Sequence, residues 1–411
     1  MNIALFSDSY LPTKSGIVTV VTQLRDQLIK AGHKVYLVVP MTTEDYEDFS
    51  PTIYQSHSIP LGLGTDQFVA NPNMHHLISF LKDKKIDIIH CHTEFGVGKS
   101  GLRAARILKI PAICTIHTMW VDFYRYYIPF SKFIKPNLID HIMNSYYRKF
   151  TALIAVSSKG KKYYKKPKMI PQSPIVVIPN SIDKSKFMKS NNGEEIITDL
   201  RAKYQIKDTD VLLLFVGRLG EEKRVFELLE QCKKLVSMRE NCRVMFVGNG
   251  PAYEKMLENA KSQIQNNQII FTGFIPWDQV HNYYKMADIF ITASLSEMHS
   301  MTILEAQLNS LPIVARKDES YEDSVFDGQN GYLCATDTEL LDKMLTLSDS
   351  KELRQEFAQK ALEATHSFTI ETNLNRTLIM YQEVIKAFPG KIDEDAVQKK
   401  INECYVAESE L

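Results

Sequence analysis

The sequence predicts an α/β protein made of two doubly wound, Rossmann-like domains. Short apolar runs rich in Val and Ile alternate with longer amphipathic stretches, which implies parallel sheets covered on both faces. That alternation runs through the chain twice, once in each half. Between the halves lies a polar segment, Asn180–Asp208, which includes Ser190-Asn-Asn-Gly-Glu-Glu195.

The first half offers strands at Asn2–Phe6, Val35–Val39, Ile86–His90, Ala112–Ile116, Leu153–Val156 and Ile175–Ile178. Each is too short and too continuously apolar for a surface helix. Ile17–Ala31 and Asn137–Phe150 carry apolar residues at helical spacing between them. The second half repeats the theme with strands at Val211–Val216, Arg243–Val247, Ile269–Phe271, Ile289–Thr292 and Ile313–Ala315. A last helical pattern near Ile370–Phe388 follows, and a polar tail rich in Lys and Glu completes the chain. Sheets of this kind place ligands at the carboxyl ends of their strands. The expected site is a cleft across which the two domains face each other.

Composition narrows the class. The 411 residues are 44% hydrophobic and 24% charged, which fits a globular protein and argues against disorder. The longest strongly apolar run, Val211–Val216, has six residues, whereas a spanning helix needs about 20. The N-terminus lacks a basic region and a cleavage site, so no signal peptide is expected. Six dispersed cysteines without a C-x-x-C pair fit reduced thiols and a cytoplasmic location.

A net charge of zero hides an asymmetry. Residues 1–175 hold 22 Lys and Arg against 12 Asp and Glu, a net of +10, so the remainder carries −10. Residues 99–168 hold 15 basic residues against two acidic ones, Asp122 and Asp140. Lys159, Lys161, Lys162, Lys165 and Lys166 lie in its densest run, and aromatic residues from Trp120 to Tyr147 are interleaved. Such a run is either a plain solvated face or a surface for an anionic membrane, where cations and aromatic rings settle at the headgroups. No helix-turn-helix, zinc-finger or RNA-binding signature supports nucleic acid as the partner.

The strand ends carry the chemistry. After the first strand comes Ser7-Asp-Ser-Tyr-Leu-Pro-Thr-Lys-Ser-Gly16, opening a helix. Gly16 permits close backbone approach beside free amides. After Val211–Val216 comes Gly217-Arg-Leu-Gly-Glu-Glu-Lys223, where Arg218 and Lys223 place two cations suited to a diphosphate. After Ile289–Thr292 comes Ser294-Leu-Ser-Glu-Met-His-Ser-Met-Thr-Ile-Leu-Glu305. A helix starting near Ser300 would leave Glu297 in the loop and put Glu305 about one turn inside. Amides at Ser300, Met301 and Thr302 would then meet a phosphate, and the two carboxylates would accept from sugar hydroxyls.

No metal is expected. Asp208-Thr-Asp210 reads as a D-x-D but precedes a buried strand instead of ending one. His75-His76 has no nearby carboxylate or Cys. His90-Cys-His-Thr-Glu94 sits at a strand end, where a loop lining an acceptor site is preferred over a metal shell. His117 ends another strand, in Thr115-Ile-His-Thr-Met-Trp-Val-Asp-Phe-Tyr-Arg-Tyr-Tyr127.

Taken together these segments resemble glycosyltransferase family 4, the retaining enzymes of the GT-B fold. The resemblance rests on Gly16, Arg218 with Lys223, and Glu297 with Glu305 in an E-x7-E segment. Val177-Ile-Pro-Asn-Ser-Ile-Asp183, Val247-Gly-Asn-Gly-Pro251, Phe271-Thr-Gly-Phe274 and Ala287-Asp-Ile-Phe290 match in order and spacing. Where the family often has Gly inside E-x7-E, this chain has Met298-His-Ser-Met301.

The resemblance implies an acceptor-binding domain over 1–183, a donor domain over 184–369, and a return helix with a tail over 370–411. It implies a nucleoside-diphosphate sugar, UDP-glucose above all, bound without a metal or other cofactor. Arg218 and Lys223 would neutralise the diphosphate, Glu305 would hold the ribose and the backbone near Phe274 the base. Glu297 would position the sugar, and His117 would stand near sugar and acceptor as the other catalytic residue.

The H-T-x3-[DE]-aromatic pattern at His117 and Asp122 resembles the branch that glycosylates diacylglycerol. Asp122, Trp120 and Tyr126 would then contact a lipid acceptor, with the lysine run on the inner face of a membrane. A soluble acceptor (a small thiol, a sugar phosphate or a polysaccharide) and a non-catalytic nucleotide-sugar-binding partner are the alternatives.

Overall fold

A computed structural model describes residues 1–13, 15–41, 50–60, 68–121, 124, 135–166, 173–184 and 193–404. The chain forms two compact units. Unit 1 comprises Met1–Ser181 and Ile370–Leu411; unit 2 comprises Ile182–Thr369.

Unit 1 is built on a seven-stranded parallel sheet. Its strands are β1 (Asn2–Phe6), β2 (Lys34–Pro40), β3 (Ile53–Ser56), β6 (Ile88–Cys91), β7 (Ala112–Ile116), β8 (Ala152–Ala155) and β9 (Ile175–Val177). Their order is β3-β2-β1-β6-β7-β8-β9, and a small antiparallel pair, β4 (Ser58–Pro60) with β5 (Phe68–Ala70), stands beside it. The helix Gly16–Lys30 buries Val21, Leu24 and Leu28 on this sheet. Met380, Tyr381 and Val384 of the helix Ile370–Ala387 join the same core.

Unit 2 has a six-stranded parallel sheet in the order β12-β11-β10-β13-β14-β15. These strands are β10 (Val211–Val216), β11 (Cys242–Val247), β12 (Ile269–Gly273), β13 (Ile289–Thr292), β14 (Ile313–Arg316) and β15 (Gly331–Cys334). Leu213 and Phe215 of β10 feed one apolar core, Leu212 and Leu214 the other. Burial on both faces is why this strand reads as one continuous apolar run.

In each sheet the strand order reverses once, between β1 and β6 and between β10 and β13. Loops leaving the carboxyl ends on either side of such a point part company and open a crevice. Gly248, after β11, serves this arrangement in unit 2. Its φ is +139°, and a Cβ there would stand 2.0 Å from the Gly217 carbonyl oxygen, so only glycine fits.

β3 and β15 are additional to the expected strands, because Ile53-Tyr-Gln-Ser56 and Gly331-Tyr-Leu-Cys334 are short and half polar. The tail is not simply polar: Glu394–Glu403 forms a helix, N-capped by the Asp393 side chain on Ala396 N (3.1 Å). Val397 and Ile401 bury its one apolar stripe in the core of unit 1. Asp210 is a structural residue. It accepts from Lys207 N (2.9 Å) and lies 3.6 Å from Arg243, so it ties down the turn before β10. Among the described residues no helix is long and apolar enough to cross a membrane. All six cysteines are free thiols.

Candidate active site

In unit 2 the loops after β10 and β13 meet at the switch point. After β10 the chain makes a turn of 3-10 helix, Glu221–Lys223, before the helix Val225–Met238. Lys223 Nζ forms an ion pair and hydrogen bond with Glu297 Oε1, a residue 74 positions away. Ser296 Oγ donates to the Glu222 carbonyl (2.9 Å) and fastens the same two loops a second time. Ser294 Oγ donates to Glu297 Oε1 (3.2 Å), and Tyr321 OH donates to the Ser294 carbonyl (3.0 Å). Glu297 is thus held from two directions while part of it stays open to solvent. Arg218 lies beside Glu222 (3.7 Å), its side chain 46% exposed.

The helix Met301–Leu308 starts where its cap requires. Ser300 has extended backbone, and its Oγ accepts from Ile303 N. The first-turn amides, those of Met301 and Thr302 among them, have no acceptor within their own helix. Glu305, one turn in, accepts from Tyr284 OH (2.8 Å), and burial pushes its carboxyl up to about 7. Phe274 follows Gly273 at the end of β12 and is 64% exposed. His299, to which the sequence gives no role, is buried beside Phe368, and neither ring nitrogen has a partner among the described residues. Burial holds it near 4.

Unit 1 builds a different site. Asp8, just past β1, is buried and accepts from Thr93 Oγ1 (2.6 Å), Val97 N (2.7 Å), Phe95 N (3.2 Å) and Gly98 N (3.3 Å). It caps the helix Gly96–Leu108, whose own N-cap, Phe95, has no side chain to do so. Desolvation raises its carboxyl despite those four bonds. Glu94 is buried too, accepts from Tyr147 OH (2.5 Å), and is pushed up to about 7.

At the carboxyl ends of β6 and β7 three histidines adjoin, His90 within β6 and His92 and His117 just past β6 and β7. His117 Nε2 meets His92 Nδ1 at 3.1 Å, and the His90 ring lies 4.1 Å from the His92 ring. His90 in turn is bonded to Tyr381 OH and to Thr115 Oγ1, both at 2.7 Å. Burial lowers all three, His90 to about 3 and His117 to about 4, so all are neutral near pH 7. The partner of His117 is therefore His92, which the sequence places only in an acceptor-lining loop. Among the described residues no group of His, Cys, Asp and Glu converges as a metal shell.

The remaining candidates fall out as follows. A Cβ on Gly16 would meet nothing within 4 Å, so the fold itself does not demand glycine there. Asp122 and Tyr126 lie outside the described residues. Trp120 is a packing residue: it is buried with Tyr124 and Ile139 and sits edge-on to Phe95 at 5.0 Å. The lysine run is partly spent within the protein. Lys161 and Lys165 both pair with Glu394 of the C-terminal helix, and Lys166 sits 5.1 Å from the Tyr163 ring. Lys159 and Lys162 also have interactions. The sequence alone hides this because Glu394 is 229 residues from Lys165.

Two other faces of unit 1 combine exposed cations with exposed apolar groups. On the helix Gly96–Leu108 these are Lys99, Arg103, Arg106 and Ile107, following Phe95. On the helix Pro136–Tyr147 they are Leu138 and Ile142, 51% and 45% exposed, flanked by Lys135, Arg148 and Lys149.

Comparison with known proteins gives the same picture at chain length. The Glycosyltransferase Family 4 model matches residues 14–186, and the Glycosyl transferases group 1 model matches residues 196–364. An alpha-monoglucosyldiacylglycerol synthase from Acholeplasma laidlawii is 28% identical over 406 residues, 96% of this chain and all of that protein. A protein of the same name from Streptococcus pneumoniae is 30% identical over 81% of this chain and 75% of its own length. Among solved structures, HepE from Anabaena in complex with UDP aligns with a TM-score of 0.70 at 18% identity, covering 93% of this chain and 100% of that one. Sucrose-phosphate synthase from Thermosynechococcus elongatus aligns at 0.73 with 15% identity, over 94% and 99%. These structural likenesses speak for the GT-B fold.

Proposed function

The chain belongs to glycosyltransferase family 4, and from that premise we propose that it moves glucose from UDP-glucose to a diacylglycerol-type lipid, retaining the anomeric configuration. The observation that carries the donor half is the meeting of Lys223 and Glu297 at the switch point of unit 2. Two motif residues far apart in sequence share one spot, beside the N-terminus of the helix Met301–Leu308.

Lys223 and Arg218 take the diphosphate, and the Met301 and Thr302 amides add donors to it. Their charge does the work a metal does elsewhere, so the transfer runs without one. Glu305 holds the ribose, the backbone at Phe274 the base, and Glu297 the sugar hydroxyls. Gly16 leaves room for close backbone approach to a phosphate, and His117 bonds the sugar or the incoming hydroxyl. The acceptor oxygen attacks the anomeric carbon on the face the diphosphate leaves. Its proton passes to the departing phosphate oxygen, and the C–O bond to UDP breaks as the new one forms.

The lipid acceptor is supported by the likeness to the two alpha-monoglucosyldiacylglycerol synthases and by the cationic, apolar faces of the helices Gly96–Leu108 and Pro136–Tyr147. Leu138 and Ile142 stand exposed beside cations, and an anionic bilayer attracts both kinds of group. On this reading the protein works peripherally, on the inner face of the membrane.

The test is transfer of label from UDP-[14C]glucose into the organic phase of mixed micelles of diacylglycerol and an anionic lipid. Label that disappears with Glu297→Ala is the expected result. UDP release without organic-phase label would keep the donor half and remove the lipid.

A further inference from the structure

The three adjoining histidines, His90, His92 and His117, are ordered beyond what one active imidazole requires. His90 spends both ring nitrogens, on Tyr381 OH and Thr115 Oγ1, and so cannot turn. Its ring lies against the His92 ring at 4.1 Å and 33°, which holds His92 in turn. The His92 and His117 rings are 19° from parallel with centroids 5.4 Å apart, and the two nitrogens meet at 3.1 Å. That nitrogen–nitrogen distance describes an imidazole–imidazole hydrogen bond.

One proton lies between those nitrogens, and it has two possible owners. If His117 donates from Nε2, His92 must carry its proton on Nε2, which is buried with no partner among the described residues. If His92 donates from Nδ1, the same buried nitrogen is only a bare lone pair. A genuinely orphaned buried N–H is rare, which favours the arrangement that leaves a bare lone pair there. We propose that His92 is a positioning residue that donates to His117 and locks it in the Nδ1–H tautomer. Half-buried His117 then offers one outward group, an N–H donor fit for a sugar-hydroxyl or phosphate oxygen and unfit to accept a proton there. The consequence for catalysis rests on His117 acting as proposed above; the tautomer does not.

The test is long-range 1H–15N correlation on the full chain labelled with 15N-histidine near neutral pH, with His117 assigned by its loss in His117→Gln. A protonated Nδ1 and bare Nε2 on His117 are expected. His92→Phe keeps a ring against His90 and removes the donor. It is expected to mix the His117 tautomers and lower kcat about tenfold or more, with donor KM within about twofold. His92→Asn places an amide where Nδ1 stood and is expected to restore the tautomer and most of the rate. A native His117 protonated on Nε2 would overturn the assignment without recourse to any variant. So would a His117 spectrum unchanged by His92→Phe. Failure of lipid transfer by the native chain bears on the proposed function alone, since the spectrum is read without substrate.

Discussion

In unit 2 the strand-end loops meet through opposite charges, Lys223 on Glu297; in unit 1 they meet through neutral rings, His92 on His117. The scaffold beneath is the same, a parallel sheet with one reversal of strand order. On the proposed reading the difference lies in what each end holds. A diphosphate calls for cations, and Arg218 and Lys223 are both partly open to solvent. A hydroxyl calls only for a directed donor or acceptor, for which buried neutral imidazoles suffice. A doubly wound sheet therefore prescribes where a ligand goes and leaves the means of holding it to a few loop residues.

The sharpest break should come on the charged side. Glu297→Ala should lower kcat roughly 10²–10³-fold, by the scale of a lost transition-state contact. UDP affinity, read by calorimetry, should change little; a large loss there would make Glu297 a binding residue instead. Lys223→Ala should raise donor KM about tenfold or more and weaken UDP binding in parallel, as expected for a lost charge-assisted bond. Equal behaviour of the two variants would end the distinction between holding the sugar and holding the phosphate.

The neutral side should show itself in pH. His90, His92 and His117 have folded pKa values below the ordinary 6.5. The unfolded chain takes up protons there that the folded chain refuses. Their stabilisation is therefore whole above about pH 6.5 and is lost as pH falls toward 4. The scale is about 1.4 kcal/mol per imidazole for each tenfold by which burial weakens its hold on a proton. Trp120 lies in unit 1 and Trp277 in unit 2, so Trp277→Phe leaves a fluorescence reporter for unit 1 alone. Glu94 of the same unit, pushed up to about 7, acts in the opposite sense, so the comparison is with His90→Gln and His92→Phe; a pH dependence identical in the native chain and both variants would contradict a neutral cluster.

Smaller effects test the edges of the comparison. Gly16→Ala meets open space, so stability should change by less than about 0.5 kcal/mol. A rise in donor KM would then reflect approach to the ligand and not folding. Glu394→Gln should release Lys161 and Lys165 and tighten binding to anionic vesicles by at most about 1 kcal/mol per lysine. No change would leave the membrane contact to the helices Gly96–Leu108 and Pro136–Tyr147.

The charged side is also the more readable in sequence. Arg218, Lys223, Glu297 and Glu305 stand in local segments whose strand-loop-helix context can be seen in one window, and Ser300 caps its helix as its position implies. The neutral side depends on distance. Asp8 caps a helix nearly 90 residues later, Tyr381 reaches His90 across 291 positions, and Glu394 reaches back to the lysine run. A single sequence carries no signal for such pairs. β3 and β15 escape for another reason: the sheet, more than their own residues, makes them strands. The packing of Trp120, expected as an acceptor contact, is hidden because its cluster with Tyr124 and Ile139 is assembled only by the fold.

β9 is the last strand of its sheet, and the helix Glu394–Glu403 deals with its open side. Gln398 accepts from Val177 N (2.7 Å) and donates to Val177 O (3.2 Å), while Glu394 accepts from Ile175 N (2.9 Å). Two side chains thus stand in for a neighbouring strand and deny the edge to another chain. The pieces of this closure are 221 residues apart at Val177 and Gln398. On the ribosome, β9 emerges well before its cover, and all of unit 2 is made in the interval. The nascent protein therefore spends that time with a sticky sheet margin, a period in which chaperone attention or crowding would decide the yield of folded enzyme.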